Sequence, residues 1–381
     1  MPMRMKTFWI GIVWIAIQWP AAAQTTLSPG FDPHEYLNLL SITHEQQRGL
    51  FPDSGQVRPD STGRMPVIPP PQGFQQVYRS AEVGLYNQWD LWLNTDSSVA
   101  VIAIRGTIMK TESWLENFYA AMVPATGSLR LNDSTRFTYQ LATSPRASVH
   151  TGWLMGLAYM APSLLKQIRT YAAKGVSQFI IFGHSQGGAI AFLLRSYLEY
   201  LSKDSLPAGL VFKTYCSAAP KPGNLYYAYD FDHITQGGWA YRVVNMEDWV
   251  PETPFSLQTL NDFNAVNPFH DIKPALKGTK LLIRLYANHI FRGLKKSSQR
   301  ANKKFRRTLG RQVYRQIRQA LPGFSEPAYA PSMNYMPAGI PIVLAPYPGY
   351  EDMFPFNGKN TFVHHGLRPY YELVRHQYHM P

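Results

Sequence analysis

Apolar residues in this chain occur in two patterns, short uninterrupted runs and longer stretches with helical spacing. The uninterrupted runs predict strands that are covered on both faces. They are "VAVIAI" (99–104), "QFIIF" (178–182), "GLVFKTYC" (209–216), "WAYRVVN" (239–245) and "PIVLAPY" (341–347). Stretches 153–175 and 189–201 have helical spacing and lie between these runs. The alternation predicts an α/β fold with a mostly parallel central sheet and helices on both faces.

The flanking segments add a helix, a loop and a hairpin before the main sheet. Asp32 and Pro33 are typical of a helix start, and apolar residues with helical spacing follow them. Residues 51–75 are rich in Pro, Gly, Asp and Ser, which predicts a loop. Residues 84–104 predict a hairpin with its turn at "NTDSS". At the other end, "HHGLRPYYELV" (364–374) predicts a loop followed by a closing helix.

The first 23 residues have the pattern of a signal peptide. Two basic residues precede a short apolar run (8–19), and three alanines (21–23) follow it. The run is shorter than the ~20 residues that a membrane-spanning helix needs. We therefore expect cleavage near Ala23, an exported protein, either periplasmic or secreted, and a single domain over residues 24–381. A retained membrane anchor is the alternative. The lone Cys216 cannot form an internal disulfide, and we expect it to be a small buried residue.

The net charge of +13 comes from one segment, at about residues 272–325. Fifteen of the 37 Lys and Arg residues lie there, without a single Asp or Glu. Apolar residues recur every four positions in its second half, which predicts a helical insertion with a cationic polar face. They are Phe305, Leu309, Val313, Ile317 and Leu321. The segment is either a solvated helix or a docking element for an anionic membrane surface. We expect no nucleic-acid partner, because the segment contains no recognisable nucleic-acid-binding motif.

The stretch "FIIFGHSQGGA" (179–189) contains the pattern Gly-x-Ser-x-Gly around Ser185. A buried strand leads into it and an apolar helix leaves it, which is the context of a nucleophile elbow. Gly183 and Gly187 would let the strand and the helix approach each other closely. The alternative is a simple turn in which Ser185 caps the helix.

A serine nucleophile on this fold needs an acid and then a base later in the chain. Asp248 follows the strand 239–245 by a few residues and is the candidate acid. His364 and His365 lie between a predicted strand and a predicted helix, and either can be the base. The candidate oxyanion donors are the backbone N–H of Gln186 and Thr107, through its N–H and its hydroxyl, after the strand 99–104.

An ordered set of motifs resembles the class 3 lipases, the fungal-lipase-like branch of the α/β-hydrolases. The set comprises "IAIRGT" (102–107), "VHTGW" (149–153), "GHSQGG" (183–188), "SAAPKPGN" (217–224), "YRVVNMEDWVP" (241–251) and "HHGLRPY" (364–370). The resemblance implies hydrolysis of carboxylic esters, often acylglycerols, without a cofactor or a metal. It points to Asp248 as the acid, favours His365 over His364, and gives His150 a structural role. The expected partner is a lipid or a small ester substrate.

Other functions remain open at this stage. The chain can be a lipid-surface-binding protein on a hydrolase scaffold, or a phospholipase or short-chain esterase. Residues 111–127 are either a flap over the site or a core helix with Trp114, Phe118 and Met122 facing inward.

Overall fold

The computed structural model describes residues 25–50, 58–59, 63, 65–268, 276–278 and 280–380. The predicted signal peptide, most of the first half of the predicted loop 51–75 and the start of the basic segment lie outside the described residues. Among the described residues, no helix has the length and apolar character needed to cross a membrane.

Thirteen strands and nine α-helices make up the described part of the chain. The strands are β1 (Phe74–Arg79), β2 (Trp89–Asn94), β3 (Val99–Ile104), β4 (Met122–Pro124), β5 (Thr126–Arg130), β6 (Arg136–Gln140), β7 (Ser148–His150), β8 (Gln178–His184), β9 (Val211–Ser217), β10 (Gly223–Asn224), β11 (Ala240–Asn245), β12 (Tyr335–Met336) and β13 (Ile340–Leu344). The helices are α1 (Pro33–Gln46), α2 (Thr111–Phe118), α3 (Thr151–Ala172), α4 (Gln186–Glu199), α5 (Leu225–Ile234), α6 (Leu281–Arg306), α7 (Val313–Ala320), α8 (Tyr350–Met353) and α9 (Leu367–Gln377).

The central sheet has seven strands in the order β1-β2-β3-β8-β9-β11-β13. The five strands from β3 to β13 are parallel, whereas β1 and β2 pair antiparallel at one edge. Helices α3 and α4 cover one face and helices α1 and α9 cover the other. This architecture confirms the predicted α/β-hydrolase fold class.

Strand β3 shows why its apolar run is uninterrupted. Its even-numbered residues pack into the core beneath α3 and α4, and Val99, Val101 and Ala103 pack into the core beneath α1 and α9. Both faces of the strand are therefore buried, as the pattern predicts. Cys216 on β9 is a buried free thiol, also as predicted.

Strand β1 lies partly inside the region that the sequence assigns to a loop. Its burial alternates between half-buried and exposed residues, because β1 is an edge strand with polar side chains on one face. Gln75 and Gln76 weaken the apolar signal there, so the sequence pattern does not reveal the strand.

The predicted core helix with Trp114, Phe118 and Met122 facing inward is wrong. Helix α2 ends at Phe118, whose side chain is 55% exposed, and Met122 belongs to β4. Met122 pairs with His150 of β7, so the chain must leave the helical path before it. Only Met122 of the three is fully buried.

The basic segment forms two helices joined by a π-helical turn at Arg307–Gln312. The predicted apolar stripe faces the body of the protein. Ile317 is fully buried, and Phe305 and Leu309 pack against a small cluster that includes Met122 and Tyr335. This half of the insertion is therefore held by ordinary core packing.

Candidate active site

Ser185 lies between β8 and α4 with the backbone angles φ 60° and ψ −129°. A positive φ is rare for a residue with a side chain and costs on the order of 1–3 kcal/mol. Neighbouring contacts hold the strained residue in place: the Ser185 N–H donates to the Ser217 carbonyl at 2.9 Å. The half-buried Ser185 side chain lies among fully buried neighbours. The positive φ and the missing side-chain cap hydrogen bond are the geometry expected of the candidate elbow and differ from a relaxed helix cap.

The glycines around Ser185 are required by close backbone contacts. A Cβ on Gly183 would collide with the backbone of Gly187, and a Cβ on Gly187 would collide with the carbonyl of Ile104. A Cβ on Gly188 would lie 2.8 Å from the Ala219 side chain. The sequence "GHSQGG" is therefore the composition that this strand-to-helix junction needs.

Asp248 and His365 form a hydrogen-bonded pair beside the elbow. The His365 Nδ1 lies 2.7 Å from Asp248 Oδ2, and the Asp248 side chain is fully buried. Burial alone would raise the pKa of Asp248, but hydrogen bonds from His365, the Val250 N–H and the Tyr370 hydroxyl lower it below its usual value. Asp248 is thus a carboxylate that fixes Nδ1 as the protonated nitrogen and leaves Nε2 as an acceptor.

The His365 ring packs against the ring of the residue that precedes Ser185. The rings of His365 and His184 are 5.1 Å apart. No hydrogen bond joins Ser185 to His365 in the described part of the chain. Such bonds are often long before a substrate binds.

The His364 side chain contacts Tyr350 rather than Asp248. Its Nδ1 is 3.1 Å from the Tyr350 hydroxyl, and its ring stacks on Tyr350. Its carbonyl accepts a hydrogen bond from Asn245 at 3.0 Å. Of the two adjacent histidines, the structure brings His365 to Asp248.

The two candidate oxyanion donors are neighbours. The Thr107 hydroxyl donates to Gln186 Oε1 at 2.7 Å and accepts from Asn117 Nδ2 at 2.8 Å. Because its proton is already shared with Gln186, the hydroxyl of Thr107 does not point a free proton at an oxyanion in this arrangement. Gln186 is the first residue of α4, where the backbone N–H has no intrahelical acceptor. These contacts leave the two backbone N–H groups as the candidate donors.

The buried Glu116 carboxyl group holds the Gln186 side chain in place. Its Oε1 accepts from Gln186 Nε2 at 2.8 Å and its Oε2 accepts from Asn87 Nδ2 at 2.7 Å. The side chain is completely buried, and desolvation raises the pKa of Glu116 to about 8 against these two hydrogen bonds. Sequence inspection missed Glu116, because nothing in "TESWLENF" distinguishes a buried glutamate from a solvated one.

Sequence analysis also missed two groups that hold the candidate acid and the candidate base in place. The Tyr370 hydroxyl donates to Asp248 Oδ2 at 2.8 Å. His184 Nε2 donates to the His365 carbonyl at 2.7 Å. Burial lowers the pKa of His184 to about 3, so its ring stays neutral. Both residues lie inside recognised motifs, which is the signal that could have found them.

The His184 ring is fixed by hydroxyl groups on its other side. Its Nδ1 accepts from Ser217 Oγ at 2.9 Å, and Ser217 Oγ accepts from the Tyr36 hydroxyl at 2.6 Å. Tyr36 belongs to α1, so the N-terminal helix is connected to the candidate site. His150 is a packed residue: it caps α3 and stacks on Trp153.

No group of three or more His, Cys, Asp or Glu side chains suited to a metal ion occurs among the described residues. The arrangement combines a strained serine, a histidine with a fixed tautomer and a buried carboxylate. The fold is that of an α/β-hydrolase, and Ser185 remains the candidate nucleophile at its strand-to-helix turn.

Comparisons with known proteins confirm the resemblance to class 3 lipases. Residues 101–258 match the family described as Lipase (class 3), which is less than half of the chain. A secreted mono- and diacylglycerol lipase of Fusarium solani is 29% identical over 168 residues, which is 42% of this chain and 47% of that protein. The chain thus spans about half the length of this curated relative.

Solved structures of lipases resemble the chain at low sequence identity. The Lip2 lipase from Yarrowia lipolytica is 18% identical, with 61% of this chain and 78% of that chain covered and a TM-score of 0.40. A fungal lipase bound to an inhibitor is 16% identical, with 58% and 74% covered and a TM-score of 0.39.

Proposed function

We propose that this protein is an exported serine hydrolase that cleaves carboxylic esters of acylglycerols. The buried Asp248–His365 pair beside the strained Ser185 carries the proposal. The match to class 3 lipases and the name of the Fusarium relative support the acylglycerol substrate.

In the proposed mechanism, Ser185 Oγ attacks the ester carbonyl while His365 Nε2 takes its proton. The developing oxyanion accepts hydrogen bonds from the backbone N–H groups of Thr107 and Gln186. Asp248 stabilises the imidazolium that forms. His365 then gives the proton to the departing alcohol, and water cleaves the acyl-enzyme by the same steps in reverse order.

Exposed apolar side chains lie close in sequence to residues of the candidate site, which supports an apolar substrate. Met109 and Phe118 lie at either end of α2 with exposed side chains, and Trp249 is exposed next to the acid. Such side chains can contact an acyl chain without a desolvation penalty for polar groups.

The test is turnover and covalent labelling at Ser185. We expect purified protein to hydrolyse mono-, di- and triacylglycerols and to be labelled once by a serine-directed phosphonate, with the label on the peptide that contains Ser185. Ser185→Ala should lose both properties, whereas Ser202→Ala, a matched change at an exposed position, should keep them. Turnover by Ser185→Ala at the parental rate would refute the proposal.

A substrate panel distinguishes the alternatives. A short-chain esterase would prefer p-nitrophenyl acetate to long acylglycerols, and a phospholipase would prefer glycerophospholipids. A lipid-surface-binding protein would bind vesicles and turn over none of these substrates.

Export and domain organisation complete the proposal. We place the signal peptide at residues 1–23 and a single hydrolase domain at 24–381, with the basic insertion at about 272–325. N-terminal sequencing of the exported protein should begin near Gln24. The excess of positive charge in the insertion supports attraction to an anionic membrane surface.

A further inference from the structure

We propose that the first half of α6 is an interfacial anchor whose apolar stripe inserts into an anionic lipid surface. The stripe consists of Leu282, Tyr286, Ile290 and Leu294. The inference rests on the proposed function in that a lipid surface is where the acylglycerol substrate lies. It adds hydrophobic insertion at a defined helix face to the electrostatic attraction proposed for the whole segment.

The stripe is exposed along its whole length. Its four side chains are spaced four residues apart and are 80%, 68%, 43% and 66% exposed in chain order. Seven of the twenty strongly exposed large apolar residues in the described chain lie within Leu281–Leu294. Such a concentration on the surface of a soluble protein marks an interaction site.

Basic side chains occupy the opposite side of the same helix. At 100° per residue, Arg284, Arg292 and Lys295 lie across the axis from the stripe, and Lys296 lies at the edge of the stripe. A helix with one apolar face and one cationic face lies in the plane of an anionic membrane, with the apolar face in the acyl boundary and the cations at the headgroups.

The charge of α6 favours lipid over a second copy of the chain. The helix contains eight Lys and Arg residues and no Asp or Glu. Two copies that met through this stripe would bring sixteen like charges together, at a cost in free energy. An anionic lipid surface accepts the apolar stripe and neutralises the cations at the same time.

The exposed stripe on the first half of α6 is distinct from the stripe that the sequence predicts between Phe305 and Leu321. Phe305, Leu309 and Ile317 are taken up by packing against the body, so they are not available to lipid. Their packing instead holds residues 305–317 against the body of the protein. This packed part is the root of the anchor. The Ala121 N–H donates to the Leu309 carbonyl at 3.1 Å, next to the end of α2.

The root of the anchor lies beside the candidate active site. Helix α7, which continues from the π-helical turn, packs on α2. On α2, the Trp114 ring contacts the Phe362 ring at 5.7 Å, and Phe362 lies 5.8 Å from the His365 ring. An anchor rooted on α2 would therefore hold the site close to the surface on which it lies.

The test uses vesicle co-sedimentation of the full mature protein. Vesicles contain phosphatidylcholine with about 30% phosphatidylglycerol, or phosphatidylcholine alone. The variant Leu282→Ser/Tyr286→Ser/Leu294→Ser removes the stripe. Val67→Ser/Tyr229→Ser/Val266→Ser makes matched changes at exposed apolar positions elsewhere.

We expect the stripe variant to bind anionic vesicles about tenfold or more weakly, because the lost side chains would each bury apolar surface in the bilayer. The matched control should bind like the parent. Unchanged binding by the stripe variant would overturn the proposal. A parental dimer that the stripe variant converts to monomer would also overturn it, in favour of a second copy.

A second arm reports insertion directly. Ile290→Trp, compared in difference spectra with the parent, should show a blue-shifted emission on anionic vesicles at both 0.1 and 0.5 M NaCl, because an inserted side chain is not screened by salt. Emission that stays at its aqueous position would show binding by charge alone and would overturn insertion.

The outcomes are separable from those of the proposed function. The stripe variant should keep parental turnover of soluble p-nitrophenyl butyrate, and Ser185→Ala should keep parental vesicle binding. Failure of Ser185→Ala to lose activity would refute the hydrolase assignment and leave the anchor standing.

Discussion

Glu116 makes the stability of this protein depend on pH in a way that one substitution should remove. The carboxyl group is fully buried between Asn87 and Gln186, and burial raises its pKa from 4.5 to about 8. The folded protein therefore holds a proton at Glu116 over a pH range in which the unfolded chain has released it. Replacing Glu116 by Gln keeps the size and one polar oxygen and removes the titration.

The sign and size of the effect follow from the two pKa values. Between pH 4.5 and about 8 the folded state binds more protons at Glu116, so its contribution to the free energy of unfolding falls as pH rises. The contribution is complete below pH 4.5 and fully lost above about pH 8. At about 1.36 kcal/mol per pKa unit, the loss is roughly 5 kcal/mol overall and about 3 kcal/mol between pH 6 and pH 9.

The assay is urea unfolding at pH 6 and at pH 9, with Glu112→Gln as the matched control on the same helix. Other groups change stability with pH equally in all three proteins. We expect Glu116→Gln to gain about 3 kcal/mol relative to both the parent and Glu112→Gln on going from pH 6 to pH 9. If the parent and Glu116→Gln have the same pH dependence within about 0.5 kcal/mol, the account of Glu116 is refuted.

Three further predictions concern the elbow and the acid. Asp248→Asn should lower kcat for p-nitrophenyl butyrate by about 10³–10⁴-fold with little change in KM, because the imidazolium loses its counter-charge; a loss below tenfold would argue against the assigned pair. Tyr370→Phe should lower the free energy of unfolding in urea by about 2 kcal/mol, because a hydrogen bond to a buried carboxylate is lost, and equal stability would show that the bond contributes nothing. Gly183→Ala should lower it by more than about 3 kcal/mol or prevent folding, because the new Cβ meets the backbone of Gly187. Gly293→Ala, on the open side of α6, is its control and should be neutral or slightly stabilising.

The central features of the fold were predictable because each leaves a short pattern in the sequence. The apolar runs of β3 and β8 reflect burial on both faces of one sheet, and the glycines around Ser185 reflect close contacts within the turn and with Ile104 and Ala219. The position of Asp248 relative to Ser185 follows from where parallel strands end.

Features that depend on tertiary packing were not predictable. Tyr36 is 181 residues from Ser217, to which it is hydrogen bonded, and no periodicity encodes that distance. Phe118 has the spacing of a core residue and is exposed because the chain turns away after it. In the basic segment, two apolar stripes follow the same four-residue spacing, and only the packing shows that Ile317 is covered while Leu282 is free.

The hydrogen bond from His184 to the carbonyl of His365 has a consequence for proton transfer. It holds the main chain of His365, the proposed base, and does not involve the His365 imidazole. A base that serves two oxygens in turn, one attacking and one departing, has to turn slightly between them. In the proposed mechanism, the His184 contact keeps the His365 main chain in place while the imidazole turns. His184 is hydrogen bonded to Ser217, which is hydrogen bonded to Tyr36. Tyr36 precedes residues 101–258, the region that matches the lipase family. If His365 is the base, as proposed, these hydrogen bonds connect helix α1 to the main chain that carries it.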